Sequence, residues 1–226
     1  MMTKAEYLAR AEAEDDWAPG WLAIDAAFGA RYPAITPPHL AAPVQERAIF
    51  GGEEYIDGFS IYPSPSGYQH LLTYGMSKLY VDEESFGGAF SGWGYEMTMK
   101  IRANGPDGCH WAVNSLRNLA RYTYTSELWF EPFQFISGRG EPLRTESDTL
   151  LTSYVMAPDT EVPGIDTVHG RVDFIQLVGI TQPELDWVAG ESVEGAAERA
   201  KDLLRRIADD GNPHLVTDLS RSHSYV

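Results

Sequence analysis

The chain has 226 residues, of which 43% are hydrophobic, so it is long enough to bury one substantial core. Its 33 acidic and 17 basic side chains give a formal net charge of −16. A field of that sign repels nucleic-acid phosphates and anionic membranes and attracts basic proteins. No apolar run of about 18 residues is present, and the acidic N-terminus lacks the basic and apolar regions of a signal peptide. We therefore expect one cytoplasmic domain over residues 1–226 that binds neither nucleic acid nor a membrane.

The N-terminal part of the chain predicts two helices. Residues 5–14 are mostly good helix formers. A second helix is predicted after Pro19, because Trp21, Ile24 and Phe28 fall on one helical face. The proline-rich stretch that follows excludes a helix and a central strand, so it predicts an extended crossover into a sheet.

The hydrophobic period then changes to two. Apolar side chains in residues 95–101 alternate with Glu96, Thr98 and Lys100, which predicts a half-buried strand with these polar side chains in water. Further strands are predicted at residues 59–62, 70–74, 128–136, 149–156 and 172–178. The last of these hardly alternates, so we expect it in the centre of a sheet, covered on both faces.

Helical patterns interrupt and follow the strands. A helix is predicted over residues 111–125, where the apolar side chains form one stripe. Thr181 and Glu184 have the spacing of a capping box, and an amphipathic helix follows from Val193 until Gly211. The pattern predicts an α+β protein, a mixed α/β arrangement in which helices flank a central mixed sheet.

Motifs for nucleotide, metal or nucleophile chemistry are missing from the sequence, so no cofactor is predicted. No phosphate-binding glycine loop is present, and Ser91 misses the spacing of a nucleophile elbow by one residue. The six histidines show neither helical pairing nor clustered carboxylates, and His70 is interpreted as a core or edge histidine bonded to backbone. The single cysteine, Cys109, adjoins His110 but has no third group to orient the imidazole.

One enzymatic alternative stays open at this point. Asp57 and Glu96 are placed on neighbouring predicted strands and would form the carboxylate pair of a hydrolase or transferase. The predicted position of Glu96 on the solvent face explains its charge more simply.

Aromatic side chains are concentrated around the predicted helix at residues 111–125. Their number exceeds what one stripe can bury, so we expect some of them at the surface, where aromatic residues dominate binding hot spots. For each member, burial in the core is the alternative. The residues concerned are Trp93, Tyr95, Tyr122, Tyr124, Trp129, Phe130, Phe133 and Phe135.

Six segments resemble, in this order, the core motifs of the Suppressor of fused domain family: PGWLAID (19–25), DGFSIY (57–62), QHLLTYGMSKLY (69–80), GWGYEMTMKI (92–101), NSLRNLARYTY (114–124) and HGRVDFIQLVGIT (169–181). The resemblance covers about residues 19–187, and residues 191–226 form a C-terminal helix and tail. The family is known for holding other proteins. The resemblance therefore implies a non-catalytic protein-binding module.

The resemblance also implies binding residues. In eukaryotic members the tyrosine of the motif matched by LARYTY helps to hold a segment of a Gli-type transcription factor, and Tyr122 matches that tyrosine. Gln134 stands where those members have an acidic residue, so a Gli-like ligand is not expected. With the neighbouring aromatic residues, the predicted protein-binding set is Tyr122, Trp129, Phe133 and Gln134.

Standalone bacterial members of the family are thought to include immunity proteins that neutralise toxins by direct binding. The net charge fits that role, because many toxins are basic nucleases and a carboxylate-rich surface can mask them. A strongly acidic surface also serves solubility alone. We predict a basic protein partner, with an immunity protein as the preferred function and a regulatory adaptor for a transcription factor-like partner as the alternative.

Overall fold

The computed structural model describes residues 2–45, 55–190 and 192–226. The α-helices with both ends inside these ranges are α1 (Lys4–Ala13), α2 (Pro19–Arg31), α3 (His110–Ser126), α4 (Gln182–Ala189) and α5 (Val193–Asp209). The strands are β1 (His39–Ala41), β2 (Gly58–Pro63), β3 (Gln69–Tyr74), β4 (Phe90–Ile101), β5 (Phe135–Ser137), β6 (Leu151–Pro158), β7 (Ile165–Thr167) and β8 (Gly170–Thr181).

The strands form one mixed sheet in the order β1-β2-β3-β4-β8-β6-β5, and β7 also pairs with β8. β4 and β8 run parallel, whereas the other pairs are antiparallel. The predicted α+β class with a central mixed sheet is confirmed. The central position predicted for residues 172–178 is confirmed too, since β8 lies between β4 and β6 and hardly alternates because both of its faces are covered.

Both faces of the sheet are covered by helices. Leu71 and Leu72 are consecutive on β3 and point to opposite faces, and they belong to different core clusters. The cluster around Leu71 contains the apolar stripe of α3, which confirms the helix predicted at residues 111–125. On the other face, α2 packs through Ile24 and Phe28, and α4 and α5 pack against the C-terminal half of β8.

The polar face of β4 is therefore not in water, and that prediction is wrong. Glu96, Thr98 and Lys100 are all fully buried on the second face of the sheet. Alternation of apolar and polar residues shows that the two faces of a strand differ in character, but it does not show that the polar face is exposed to solvent. Partners from distant segments satisfy these side chains, as described below.

The strand predicted at residues 128–136 is also wrong, apart from its end, where β5 begins at Phe135. Glu127 and Phe133 have φ angles of 58° and 71°, which lie in the left-handed region and not in the extended region of a strand. Pro132 removes a backbone donor from the same stretch. Aromatic residues raise strand propensity, but here they occupy a loop.

The capping box predicted at the start of α4 is confirmed. The Thr181 N–H donates to Glu184 (2.7 Å), and the Glu184 N–H donates to the Thr181 hydroxyl (3.4 Å). The same Glu184 carboxylate also accepts from the guanidinium of Arg221 (2.7 Å). One side chain therefore caps the helix and fastens the C-terminal tail to the domain.

Candidate functional site

An exposed apolar surface lies at the C-terminal end of α3. Tyr122 is 43% exposed, Leu128 54% and Trp129 56%. The left-handed conformation of Glu127 ends the helix and turns the chain at this point. The Tyr122 ring is stacked on buried Phe130 at 5.9 Å, so one side of Tyr122 rests on the core. We call Tyr122, Leu128 and Trp129 the aromatic patch.

The other two residues of the predicted binding set lie further along the same loop. Phe133 is half-buried beside the α4–α5 cluster, and the Lys201 ammonium lies 5.0 Å from its ring centre. Gln134 is exposed, and its side-chain oxygen accepts from the Glu131 N–H (3.1 Å). The backbones of Phe133 and Gln134 both bond to Met156 at 2.8 Å, which ties the loop to β6.

A cleft of about 570 Å³ opens beside the C-terminal end of α3. We call it the Trp93 cleft. Its aromatic walls include Trp93 and Tyr124, whose rings meet edge to face at 5.8 Å, and Tyr55, which packs on Tyr124 at 5.6 Å. The full lining consists of Tyr55, Asp57, residues 75–82, Gly92, Trp93, Tyr124 and Glu127.

Glu96 holds the backbone of this cleft from behind. Its carboxylate accepts from the N–H groups of Gly75 (3.0 Å), Met76 (3.3 Å) and Ser77 (3.0 Å). The hydroxyls of Thr73 and Ser77 each donate to it at 2.7 Å. Burial raises the pKa of Glu96 to about 7, although these donors act in the opposite direction. Four of these five bonds come from residues 75–77 and keep that loop in one conformation.

The carboxylate pair considered for an enzyme is not exposed together at the cleft. Asp57 lines the cleft and accepts from the Tyr80 hydroxyl, whereas Glu96 is fully buried and engaged with the loop at residues 75–77. The prediction that Glu96 is exposed on its strand is wrong. Its charge is explained by the loop that it organises.

A buried network of charged and polar side chains lies under the second face of the sheet. In the register of β3 and β4, His70 is directly opposite Lys100. Asp159 joins the two, because its carboxylate lies 2.9 Å from the His70 Nε2 and 2.9 Å from the Lys100 Nζ. Lys100 also donates to Thr160 and Gln176 at 2.8 Å, so all three ammonium protons have acceptors.

Glu161 extends this network towards the surface. It accepts from the guanidinium of Arg31 and from the hydroxyls of Tyr68 (2.5 Å) and Tyr32 (3.1 Å). Tyr32 also contacts the Nδ1 of His70 at 2.8 Å. The network therefore connects α2, β3, β4 and the segment after β6.

The charges of this network balance. Burial lowers the pKa of His70 more than nearby Asp159 raises it, so the imidazole is neutral at pH 7. Burial raises the pKa of Asp159, but His70, Lys100 and Thr98 outweigh that effect and hold it well below its usual range. The remaining charges are two cations, Arg31 and Lys100, and two carboxylates. Such balance is what a buried ionic cluster needs to be tolerated.

This network was not predicted from the sequence. His70 bonds to the side chains of Tyr32 and Asp159, and not to backbone as predicted, and it does lie among carboxylates. The sequence did contain one signal for it: His70 and Lys100 are polar residues on two predicted strands, and these strands are neighbours in the sheet. His169, by contrast, stabilises a loop, with its ring nitrogens 2.8 Å from the Tyr7 hydroxyl and 3.2 Å from the Lys78 carbonyl.

The described part of the chain shows neither a metal site nor a membrane-spanning helix. Within residues 2–45, 55–190 and 192–226, no three His, Cys, Asp or Glu side chains are grouped so that they could hold a metal ion. Over the same ranges, every helix is too short or too polar to cross a membrane. Neither finding bears on a protein-binding surface.

Comparison with known proteins identifies the family. The family model described as Suppressor of fused protein (SUFU) matches residues 52–222, which is more than half of the chain. The chain belongs to the Suppressor of fused family. The human and mouse Suppressor of fused homologs are each 29% identical to it over 204 residues. That alignment covers 83% of this chain and 41% of each homolog, so the chain spans about two fifths of their length.

Solved structures of SUFU proteins share the fold. The crystal structure of a Sufu–Fu complex matches with a TM-score of 0.75 and 25% identity, over 92% of this chain and 93% of that one. Drosophila Suppressor of Fused matches with a TM-score of 0.74 and 24% identity, over 92% and 51% of the two chains. A putative homolog from Neisseria gonorrhoeae matches with a TM-score of 0.59 and 14% identity, over 92% and 97%. The resemblance stated from the sequence motifs is confirmed.

Proposed function

We propose that this chain binds another protein through the aromatic patch, and that it acts in the cytoplasm as an immunity protein that neutralises a basic toxin. The exposure of Tyr122, Leu128 and Trp129 within eight residues of chain carries the proposal. Large aromatic side chains give much contact area for little loss of entropy, and they are enriched in binding hot spots. Tyr122, Leu128 and Trp129 together expose apolar surface to water, and a group of exposed apolar side chains is typical of a surface that a partner covers.

The family and the charge support a protein partner of basic character. A SUFU relative has been crystallised in a complex with Fu, so the fold can carry a protein interface. Exposed Glu127 and Glu131 lie next to Leu128 and Trp129 in the chain, and exposed Arg121 lies next to Tyr122. The support for a basic partner is therefore the net charge of −16, which complements a basic surface.

The enzymatic alternative has less support. A general acid or base must reach the substrate, and Glu96 is fully buried behind the backbone of residues 75–77. The five hydrogen bonds that the Glu96 carboxylate accepts indicate a structural role for this residue. No observation at Asp57 favours catalysis over the hydrogen bond from Tyr80.

The test is a growth assay with the product of the neighbouring gene. We expect that product to arrest growth of a heterologous bacterium, co-expression of this chain to restore growth, and the Tyr122→Ala/Trp129→Ala double variant to lose the protection. Leu150→Ala is the matched control, because Leu150 is equally exposed (51%) but lies outside the patch. Full protection by the double variant, at wild-type abundance, would contradict the proposed surface.

A further inference from the structure

We infer that Glu96 is a positioning residue for the aromatic patch: it fixes the loop at residues 75–77, and this loop fixes the C-terminal turn of α3, which carries Tyr122. The inference deepens the proposed function and rests on it, because the patch is the surface to which that function assigns the partner. Three observations carry it: the complete burial of the carboxylate, its hydrogen bonds to the loop, and the hydrogen bonds of the loop to residues beside the patch.

The connection begins with the hydrogen bonds between Glu96 and the loop. The N–H groups of residues 75–77 and the Ser77 hydroxyl all donate to its carboxylate, at 2.7–3.3 Å. Gly75 has a φ angle of 118°, and a Cβ atom added there would lie 2.8 Å from the backbone of Ile56. A residue without a side chain is therefore needed where the loop turns. The backbone and the carboxylate together allow the loop one conformation.

The same loop supports the C-terminal turn of α3. The Gly75 carbonyl accepts a hydrogen bond from the Tyr124 hydroxyl, and Tyr124 follows Tyr122 by two residues in the helix. The Met76 carbonyl accepts from the Trp93 N–H (2.9 Å), and the Trp93 ring meets the Tyr124 ring edge to face at 5.8 Å. The helical turn that carries Tyr122 is therefore supported by the loop both directly and through Trp93.

Glu96 acts on the patch from the other side of the sheet. Its neighbours on β4, Tyr95 and Met97, belong to the cluster that contains α3, so the Glu96 side chain lies on the opposite face. The Tyr95 hydroxyl makes a separate contact with α3, at 3.0 Å from the Thr123 hydroxyl. This second contact does not involve the loop. Loss of the Glu96 carboxylate should therefore displace the end of α3 without releasing it.

The first experiment observes the patch in the free full chain by NMR. Glu96→Gln keeps the size of the side chain but presents an amide NH₂ group to the donors of the loop, so the loop must shift. We expect changed signals for the Tyr122 amide and the Trp129 indole N–H. Tyr154→Phe is the matched control, because the Tyr154 hydroxyl donates to Ser115 of the same helix at 2.9 Å, about 10 Å before Tyr122. Unchanged patch signals in Glu96→Gln, or equal changes in the control, would overturn the inference.

A double-mutant cycle tests the route through the loop. Tyr124→Phe removes the hydroxyl that bonds to Gly75 and leaves Glu96 intact. In the Tyr124→Phe background, Glu96→Gln should change the Trp129 signal less than in the wild type, because part of the connection is already missing. Equal changes in the two backgrounds would overturn the inference. If Glu96→Gln does not fold, Tyr124→Phe alone decides, and an unchanged Trp129 signal then overturns the inference.

Affinity for the product of the neighbouring gene separates this inference from the proposed function. At a temperature where both variants are folded, Glu96→Gln and Tyr124→Phe should each weaken the complex by about three- to tenfold, the range expected for one hydrogen bond. If Tyr122→Ala weakens the complex and neither of these variants does, the inference is wrong and the proposed function stands. If the NMR signals change as expected but Tyr122→Ala/Trp129→Ala binds normally, Glu96 does position the patch, and the patch is wrong as the interface.

Discussion

The buried network under the sheet and the aromatic patch at the end of α3 distribute polar and apolar side chains in opposite ways. In the network, Lys100 and Asp159 have no exposed side-chain surface, and each has several hydrogen-bond partners. In the patch, more than two fifths of each side chain is exposed. Removal of one member of the network leaves a buried charge without its partner, whereas removal of a patch residue leaves only a smaller surface.

We expect this difference to separate residues that stabilise the fold from residues that bind a partner. The network connects α2 to β3, β4 and the segment after β6, so we assign it to specifying how these elements pack. The patch contributes less to folding than the core does, because more than two fifths of each of its side chains stays in water in the folded protein. Substitutions in the two regions should therefore differ in whether they change the unfolding free energy or the affinity for a partner.

The largest effect is expected for Asp159→Ala. The substitution leaves Lys100 buried without its carboxylate, and we expect a loss of about 3–5 kcal/mol of unfolding free energy, measured by urea denaturation. Exposed Asp148→Ala is the control and should change the unfolding free energy by less than about 0.5 kcal/mol. A loss for Asp159→Ala as small as that of the control would show that the network is solvated and not a stabilising core.

The patch should show the reverse behaviour. Tyr122→Ala and Trp129→Ala should each weaken partner binding by about 2 kcal/mol or more, if these residues are hot spots, with little change in unfolding free energy. Calorimetric titration measures the first quantity and thermal unfolding the second. A Tyr122→Ala variant that is destabilised but, while folded, binds the partner with wild-type affinity would assign Tyr122 to the core.

Glu96→Gln should lower the unfolding free energy by about 1–3 kcal/mol, because an amide nitrogen would then face N–H donors. The effect depends on pH. Burial raises the folded-state pKa of Glu96 to about 7 from 4.5, so the folded chain holds the proton more tightly than the unfolded chain. The stabilisation from Glu96 is complete below the unfolded pKa and is lost as the pH rises through the folded pKa.

Urea denaturation of the wild type and Glu96→Gln from about pH 4 to about pH 8 tests that dependence. The advantage of the wild type should shrink up to about pH 7 and then stay level. His70 titrates in both proteins, so its contribution cancels in the difference. An advantage that grows with pH would show that the five donors favour the ionised carboxylate more strongly than burial opposes it.

The smallest effect concerns the rate of association. If the charge steers a basic partner, the association rate should fall about tenfold as salt shortens the Debye length to about 8 Å, while the dissociation rate hardly changes. Stopped-flow mixing across an ionic-strength series measures both rates. An association rate that does not depend on salt would contradict electrostatic steering, and the net negative charge would then be explained by solubility alone.

Much of the fold could be predicted from local patterns. The helix at residues 111–125 and the capping box at Thr181 depend on side chains within a few turns of one another, and both are confirmed. The family was also recognisable, because six short motifs retain their order. The loop after α3 was not predictable as a loop from strand propensity, since the left-handed φ angles of Glu127 and Phe133 depend on tertiary context.

For the candidate site, the sequence drew attention to Tyr122 and Trp129 but did not distinguish patch from core. Exposure depends on which neighbours cover a side chain, and Phe130, beside Trp129, is buried. Trp93, Tyr124 and Asp57 each drew attention in the sequence, but nothing in the sequence placed them in one cleft. Its lining comes from four separate parts of the chain, which only the folded sheet brings together.

By itself, the sequence determined the secondary structure of most elements, the family and the acidic character of the protein, because these depend on local order and on composition. Only the tertiary structure decided that Glu96, Thr98 and Lys100 are inside and that Tyr122 and Trp129 are partly outside. The physical reason is that burial depends on contacts distant in sequence. A charge can be buried when Asp159, about 60 residues away, neutralises it, and an aromatic ring is exposed when no element of the fold covers it.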